Sequence, residues 1–244
     1  MSNFARYGGA SEGTGPSPIV FGQIPRLTAL EFPNRCWGVY EDFSKAFADD
    51  SSGTVVTGWI ADYVGGAGVF TPNNAVGGGV IFNPADVDGQ GLQIMTQELF
   101  KPTAGQKICF GASVAAGDAD DSDLFVGLTT IDVDILGSNA NDMAGLIVAD
   151  GSANINYIVR KDGSGDATDT GEDLANAAAV RLEAVVDGVS GVDFYVDGVR
   201  VVQSTSSNIN TGEEMSFAVA YLVGNSTAAA TCTVKWAYCY QFED

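Results

Sequence analysis

At 244 residues, 45% of them hydrophobic, the chain is long enough to bury a full core without disulfide or metal staples. Eleven basic residues against 31 acidic ones give a formal charge of −20, a surface that repels phosphate backbones and anionic lipids and so excludes general nucleic-acid and membrane binding. Histidine is absent, which removes the commonest general base, the Ser-His and Cys-His nucleophile systems and the commonest zinc ligand.

Residues 2–18 are rich in Gly, Ser and Pro and carry no periodicity, so residues 1–35 are expected to form an extended arm before a single domain at 36–244. The first 25 residues lack the basic-then-apolar layout of a secretion signal, and no apolar run approaches the roughly 18 residues of a membrane span. Synthesis in the cytosol as a soluble protein is the expectation.

From there strand patterns recur between turn signals. "GTVVTGWIADYV" (53–64) reads as one strand, followed by "GGGVIF" (77–82), "LQIMTQ" (92–97) and "KICFGASVAA" (107–116). "DLFVGLTTIDV", "AGLIVAD" and "NINYIVRKD" continue the series. "RKDGSGDATDTGED" (160–173) reads as a polar loop, and short helical turns are expected near "NDMAGL" and "GEDLANAAA".

"RLEAVVDGVSGVDFYVDGVRVV" (181–202) then spells a three-stranded meander. Asp-Gly between β-branched runs is a strong hairpin signal because both residues tolerate positive φ. Asp187-Gly188 opens a longer loop and Asp197-Gly198 a tight one, with Val192, Phe194 and Val196 facing one way and Asp193, Tyr195 and Asp197 the other. Phe217, Val219, Tyr221 and Val223 alternate with Ala218, Ala220 and Leu222, the pattern of a central strand apolar on both faces. In the closing run "TCTVKWAYCYQF", strict alternation puts Cys232, Val234, Trp236, Tyr238, Tyr240 and Phe242 on one face and Cys239 on the other. Many strands with almost no helix predict an all-β fold, a two-sheet antiparallel jelly-roll sandwich.

Cys36, Cys109, Cys232 and Cys239 include no CxxC pair. Seven strand residues put Cys232 and Cys239 roughly 23 Å apart, against the ~7 Å limit of a disulfide. All four read as reduced thiols, mostly buried. Asp118, Asp120, Asp121 and Asp123 offer hard oxygens suited to calcium. They lack the spacing and distal Glu of an EF-hand, and a solvated acidic loop is the expectation. The glycines of "VGGAGVF" and "VGGGVIF" do not make a phosphate cradle. Trp37, Trp59 and Trp236 could stack on sugars, but each sits in or beside an apolar strand pattern and is expected in the core.

The Arg181-Leu182-Glu183 strand, the Asp187-Gly188 turn, the Phe194–Gly198 hairpin and the aromatic last strand ending at Phe242 resemble the concanavalin A-like lectin/glucanase (laminin-G-like) jelly rolls. In glucanases of that kind two glutamates and an aspartate alternate along one strand, facing the sugar, one as nucleophile and one as acid. No such run occurs here: Glu183 and Asp187 flank apolar residues, and Glu213-Glu214 sit in a turn. A second resemblance lies in "FARYGGASEGTGPSPIVFGQIP" and the later "YEDF", which are similar to the start of tailed-bacteriophage structural proteins. That resemblance implies a non-enzymatic virion structural protein, a capsid decoration or cement protein on the head exterior, with the major capsid protein or other virion proteins as partners. Self-association as a trimer or dimer is expected with it. The alternative is a carbohydrate-binding, lectin-like module or a head or tail fibre component, with glycan as partner. No catalytic, cofactor-binding or metal-ligating residue is assigned, and no cofactor is expected.

Overall fold

The computed structural model describes residues 36–43, 55–56, 59–66, 68–73, 78–130, 134–137, 142–205, 208–224 and 230–243. The expected arm, 1–35, lies outside the described residues. Among those residues there are sixteen strands and no helix, arranged as two antiparallel eight-stranded sheets packed face to face.

The first sheet runs β14 (Val199–Ser204), β13 (Gly191–Val196), β12 (Val180–Asp187), β7 (Gln106–Ala116), β16 (Cys232–Glu243), β5 (Val80–Pro84) and β4 (Gly68–Pro72). β1 (Cys36–Glu41) takes the remaining length of the β16 edge, with Cys36 opposite Phe242 and Glu41 opposite Ala237. The second sheet runs β11 (Thr168–Asp173), β10 (Asn154–Arg160), β9 (Met143–Val148), β8 (Ser122–Thr129), β15 (Ser216–Val223), β6 (Gly91–Thr96), β3 (Trp59–Val64) and β2 (Val55–Val56).

Alternation along these strands fills the space between the layers. β7 contributes Ile108, Phe110, Ala112 and Val114, β13 contributes Val192, Phe194 and Val196, and the second sheet answers with Leu124, Leu146, Phe217 and Tyr221. Trp59 joins this core, its ring 6.0 Å from that of Phe217. β15 is central as its two apolar faces predict, with β8 and β6 on its flanks. Its second face, Ala218 and Ala220, packs under a separate cluster with Met95, Phe125 and Ile135. The turn at 134–137 reaches that side, where Ile135 N–H donates to the buried Gln93 Oε1 at 3.1 Å.

The meander is present as β12, β13 and β14. Asp197 and Gly198 both take positive φ, 49° and 81°, the requirement of a two-residue hairpin turn. Asp197 also accepts from Arg181 N–H at 3.0 Å while Arg181 Nη2 donates to the Asp197 carbonyl at 2.6 Å. These bonds stitch the second turn to the start of β12.

Four sequence readings need correction. The last strand does not alternate throughout: the register slips between Val234 and Trp236, and this β-bulge reverses the parity downstream. Cys232, Val234, Ala237 and Cys239 therefore face the core together, while Trp236, Tyr238, Tyr240 and Phe242 share the opposite face. Within 53–64 the described residues form two paired strands rather than one, with Val56 opposite Trp59. The polar loop at 160–173 ends in a strand, β11, which pairs with β10. "TDTGED" is poor in β-formers, but it lies at a sheet edge, where exposed charge blocks pairing with another chain. The helical turns expected near 141–146 and 171–179 are replaced by β9, by the end of β11 and by non-helical chain after it.

Candidate functional site

The outer face of the first sheet gathers the richest set of chemically capable side chains. Inward residues on β7, β12 and β13 leave Cys109, Gly111 and Ser113, then Arg181, Glu183 and Val185, then Asp193 and Tyr195, pointing outward. The bulge in β16 adds Trp236, Tyr238, Tyr240 and Phe242 to this side, and Cys36 and Tyr40 of β1 extend it. One row across the strands reads Tyr195, Glu183, Gly111, Tyr238, Tyr40.

Glu183 is fully buried and accepts a hydrogen bond from Tyr238 Oη at 2.9 Å. Their strands are separated by β7, so the two backbones stand about 10 Å apart. Glycine at 111 makes the bond possible: a Cβ there would lie 2.7 Å from Glu183 Cγ and 2.9 Å from the Leu182 carbonyl oxygen. The carboxylate side chain lies across the space a larger residue would fill. Burial, and then the charge of Glu183, push the Tyr238 phenol well above its usual value, so it remains a donor. Tyr195 is shifted the same way by burial and by Asp193.

Asp193 is a second carboxylate on this face, diagonal to Glu183 across the β12–β13 ladder. It turns toward β14, where Arg200 Nη1 lies 3.6 Å from Asp193 Oδ1. Glu183 leans the opposite way, toward β16. The two groups thus point apart, each toward its own partner. Glycoside hydrolysis needs two carboxyl groups aimed at one bond from about 5 Å or 6.5–9.5 Å apart, with room for sugar between them. Here the rings of Trp236 and Tyr238 stack at 5.8 Å, Tyr238 and Tyr240 lie 6.2 Å apart, and all three are buried.

The other sequence candidates scatter. Trp59 is core as expected, and Trp236 lies in this outer cluster. Trp37 departs from expectation: it is 39% exposed, and its Nε1 donates to the Leu99 carbonyl at 3.2 Å. Asp187 is exposed at the hairpin loop, and Glu213 and Glu214 are exposed before β15. The cysteines are free thiols. Burial raises all four, Cys232 to about 12, which leaves none of them a ready nucleophile.

Asp118, Asp120, Asp121 and Asp123 form a turn between β7 and β8 whose bonds are internal. Ser122 Oγ donates to the Asp118 carbonyl at 2.5 Å, Asp150 N–H to Asp123 Oδ1 at 2.9 Å and Gly224 N–H to the Asp121 carbonyl at 2.8 Å. Among the described residues no three His, Cys, Asp or Glu side chains are arranged to hold a metal ion. Desolvation, and then Asp118, Asp150 and Asp120, raise the Asp121 carboxyl, and burial chiefly raises Asp123. Charge there opposes folding. The linked stability is complete below the unfolded value of about 3.9 and is lost as pH rises through the raised folded values. Asp121→Asn should therefore raise the unfolding midpoint at pH 7. The gain should fade below about pH 4 and in roughly 0.5 M salt, which screens within a few ångström; a gain unchanged by salt in thermal melts would contradict the repulsion.

No family model matches the chain, and no curated protein matches it in sequence. Solved structures do. A protein of unknown function from Shewanella oneidensis MR-1 superposes with a TM-score of 0.60 at 10% identity, over 86% of this chain and 87% of that one. The β-glucanase of Bacillus licheniformis gives 0.57 at 12% identity, over 85% and 98%. The globular domain of T. cruzi calreticulin gives 0.56 at 10%, over 82% and 87%. The fold is a concanavalin A-like jelly roll like that of the glucanase, and at such identities the likeness extends to the fold alone.

Proposed function

We propose that this protein is a non-catalytic structural sandwich of a tailed-phage virion, a decoration protein bound to the major capsid protein on the outside of the head. The observation that carries the non-catalytic part is the divergence of Glu183 and Asp193, each engaged by its own partner on a closed aromatic face. A face whose rings pack on one another and whose carboxylates turn to separate partners serves rigidity. The formal charge of −20 suits a protein displayed in many copies, because like-charged bodies stay soluble when crowded. The resemblance of the first residues and of "YEDF" to phage structural proteins supplies the setting. Residues 1–35 are the attachment element in this reading, and docking would bury on the order of 1,600 Å² per interface.

Two measurements test it. Intact particles should contain the chain at a fixed ratio to the major capsid protein, and deleting residues 1–25 should abolish loading while the circular dichroism of the β body is retained. Loading of the truncated chain at full occupancy would remove the arm's role. Turnover of any β-glucan by the purified protein, lost in Glu183→Gln, would overturn the non-catalytic reading.

A second reading, a glycan-binding module, is favoured by one feature away from the aromatic face: a polar cleft at the corner of the sandwich.

A further inference from the structure

The two outer faces of the sandwich are closed differently. On the second sheet, the buried cluster of Met95, Phe125, Ala218 and Ala220 includes Ile135, with Leu136 packed against it, both from the turn at 134–137 between β8 and β9. On the first sheet, every described member of the cluster belongs to the sheet itself. They are Cys109 of β7, Val185 of β12, Tyr195 of β13 and the four aromatic residues of β16, edged by Cys36 and Tyr40 of β1. Yet Tyr238 and Phe242 are at 0% exposure and Trp236 at 4%. Side chains on a sheet stand roughly perpendicular to it, so flanking neighbours shield their sides and leave their ends to solvent. An antiparallel sheet packed on one face is normally wet on the other. Rings buried this deeply need chain lying over them.

We propose that residues 26–35, "RLTALEFPNR", fold back from the start of β1 and seal this face in cis. Residues 1–25 stay available for attachment, so the inference stands beside the virion reading and does not depend on it.

Position is the first argument. The segment ends at Cys36, which lies opposite Phe242 and on the same outer face. Five strands, β1 to β13, carry the cluster, a width of about 19 Å at four interstrand spacings. Ten residues reach up to roughly 33 Å, enough to cross it. The other stretches of chain outside the described residues are worse placed. Residues 44–54 leave from Phe43, whose ring points into the inner core 6.1 Å from that of Trp59, and they arrive at β2 of the second sheet. Residues 74–77 and 225–229, beside the first sheet, are short and have Val76 as their largest apolar side chain.

Composition is the second argument. Leu27, Leu30 and Phe32 supply apolar surface to cover the rings. Arg26 and Arg35 are two of the chain's eleven basic residues, and Glu31 is the segment's one acid. Glu183 is buried in the middle of the face, and a buried carboxylate favours cationic surroundings. A segment with a cationic excess suits that site better than the acidic average of a chain at −20.

Cysteine alkylation of the native full chain, read at each residue by mass spectrometry at about pH 8, tests the proposal. Cys109 lies under the cover, whereas Cys232 and Cys239 face the inner core and report whether the sandwich stays closed. All three should resist iodoacetamide in the parent. In Leu30→Asp/Phe32→Asp, Cys109 should react at least about tenfold faster while the two core thiols stay protected. Phe4→Asp, in the same arm outside the cover, should leave Cys109 protected. Protection should not change on dilution from about 100 to 1 µM, because a tethered segment sits at roughly millimolar effective concentration. Loss of protection on dilution assigns the face to a second copy and overturns the proposal. So does an open Cys109 in the parent, or a Cys109 unchanged in the double variant. If the double variant opens all three thiols, Phe32→Ala is the gentler form, and failure of that variant to open Cys109 selectively overturns the proposal as well. Each of those failures leaves the particle co-purification result standing on its own.

Discussion

Phe217→Ala should destabilise the protein by about 3–5 kcal/mol, the range for removing a fully buried aromatic ring. Phe217 is at 0% exposure on β15, the central strand of the second sheet. Its ring touches Trp59 at 6.0 Å on its own sheet and Phe110 at 5.9 Å on the facing one, so it joins the two layers near their middle. β8 pairs with β15 along its whole length and β6 pairs from Ala218 to Leu222, with Phe217 N–H donating to Thr96 Oγ1, which limits collapse into the void. The loss includes both transfer and cavity contributions for that reason. A thermal midpoint lower by about 10 °C is expected for a domain of this length, with an unchanged denaturant slope. A change under about 1 kcal/mol would mean the core relaxes far more than two continuous ladders should permit.

Gly111→Val should cost about 2–5 kcal/mol, although the position faces outward from the sandwich core. The new side chain would occupy the path that Glu183 takes to Tyr238, beginning with a Cβ 2.7 Å from Glu183 Cγ. Overpacking contributes about 1–3 kcal/mol. Breaking the buried Glu183–Tyr238 bond leaves a carboxylate poorly satisfied and contributes a similar amount. Glu183→Gln is the control: its Oε1 can still accept from Tyr238 Oη, and a loss of no more than about 1 kcal/mol is expected. Equilibrium unfolding of the two variants separates the cases. If Gly111→Val is as stable as the parent, the glycine is not what admits the bond. If Glu183→Gln is as damaging as Gly111→Val, the charge rather than the path holds the face together.

Much of the site was legible residue by residue but not in its assembly. The outward Asp193 and Tyr195 follow from alternation around the Asp197-Gly198 turn, and the structure keeps them there. Strict alternation puts Tyr238 and Trp236 on the face of Cys232 and Val234, because a one-residue bulge at Lys235 leaves no mark in the hydrophobic pattern: the residues on both sides of "TCTVKWAYCYQF" are apolar. A signal for the Glu183–Tyr238 contact did exist. A glycine in the middle of an otherwise regular strand points to a close approach, and Gly111 is one. What sequence could not supply is that β7 lies between β12 and β16, since these strands are about 70 and 120 residues from it in the chain. The corner cleft was equally hidden. Its groups come from β10, β11 and the end of β14, and the polar composition of β11 is that of a loop.

By itself the sequence determined the fold class, the turn chemistry of the ribbon, the central place of β15 and the absence of any alternating carboxylate run. All of these are set by neighbours within a few residues, through the two-residue period of a strand and the φ preferences of Asp-Gly. Only the tertiary structure decided which strands are adjacent, where parity reverses and which way the carboxylates lean. Those depend on long-range pairing and on single close contacts, where a bulge or an absent Cβ redirects a side chain without altering local composition.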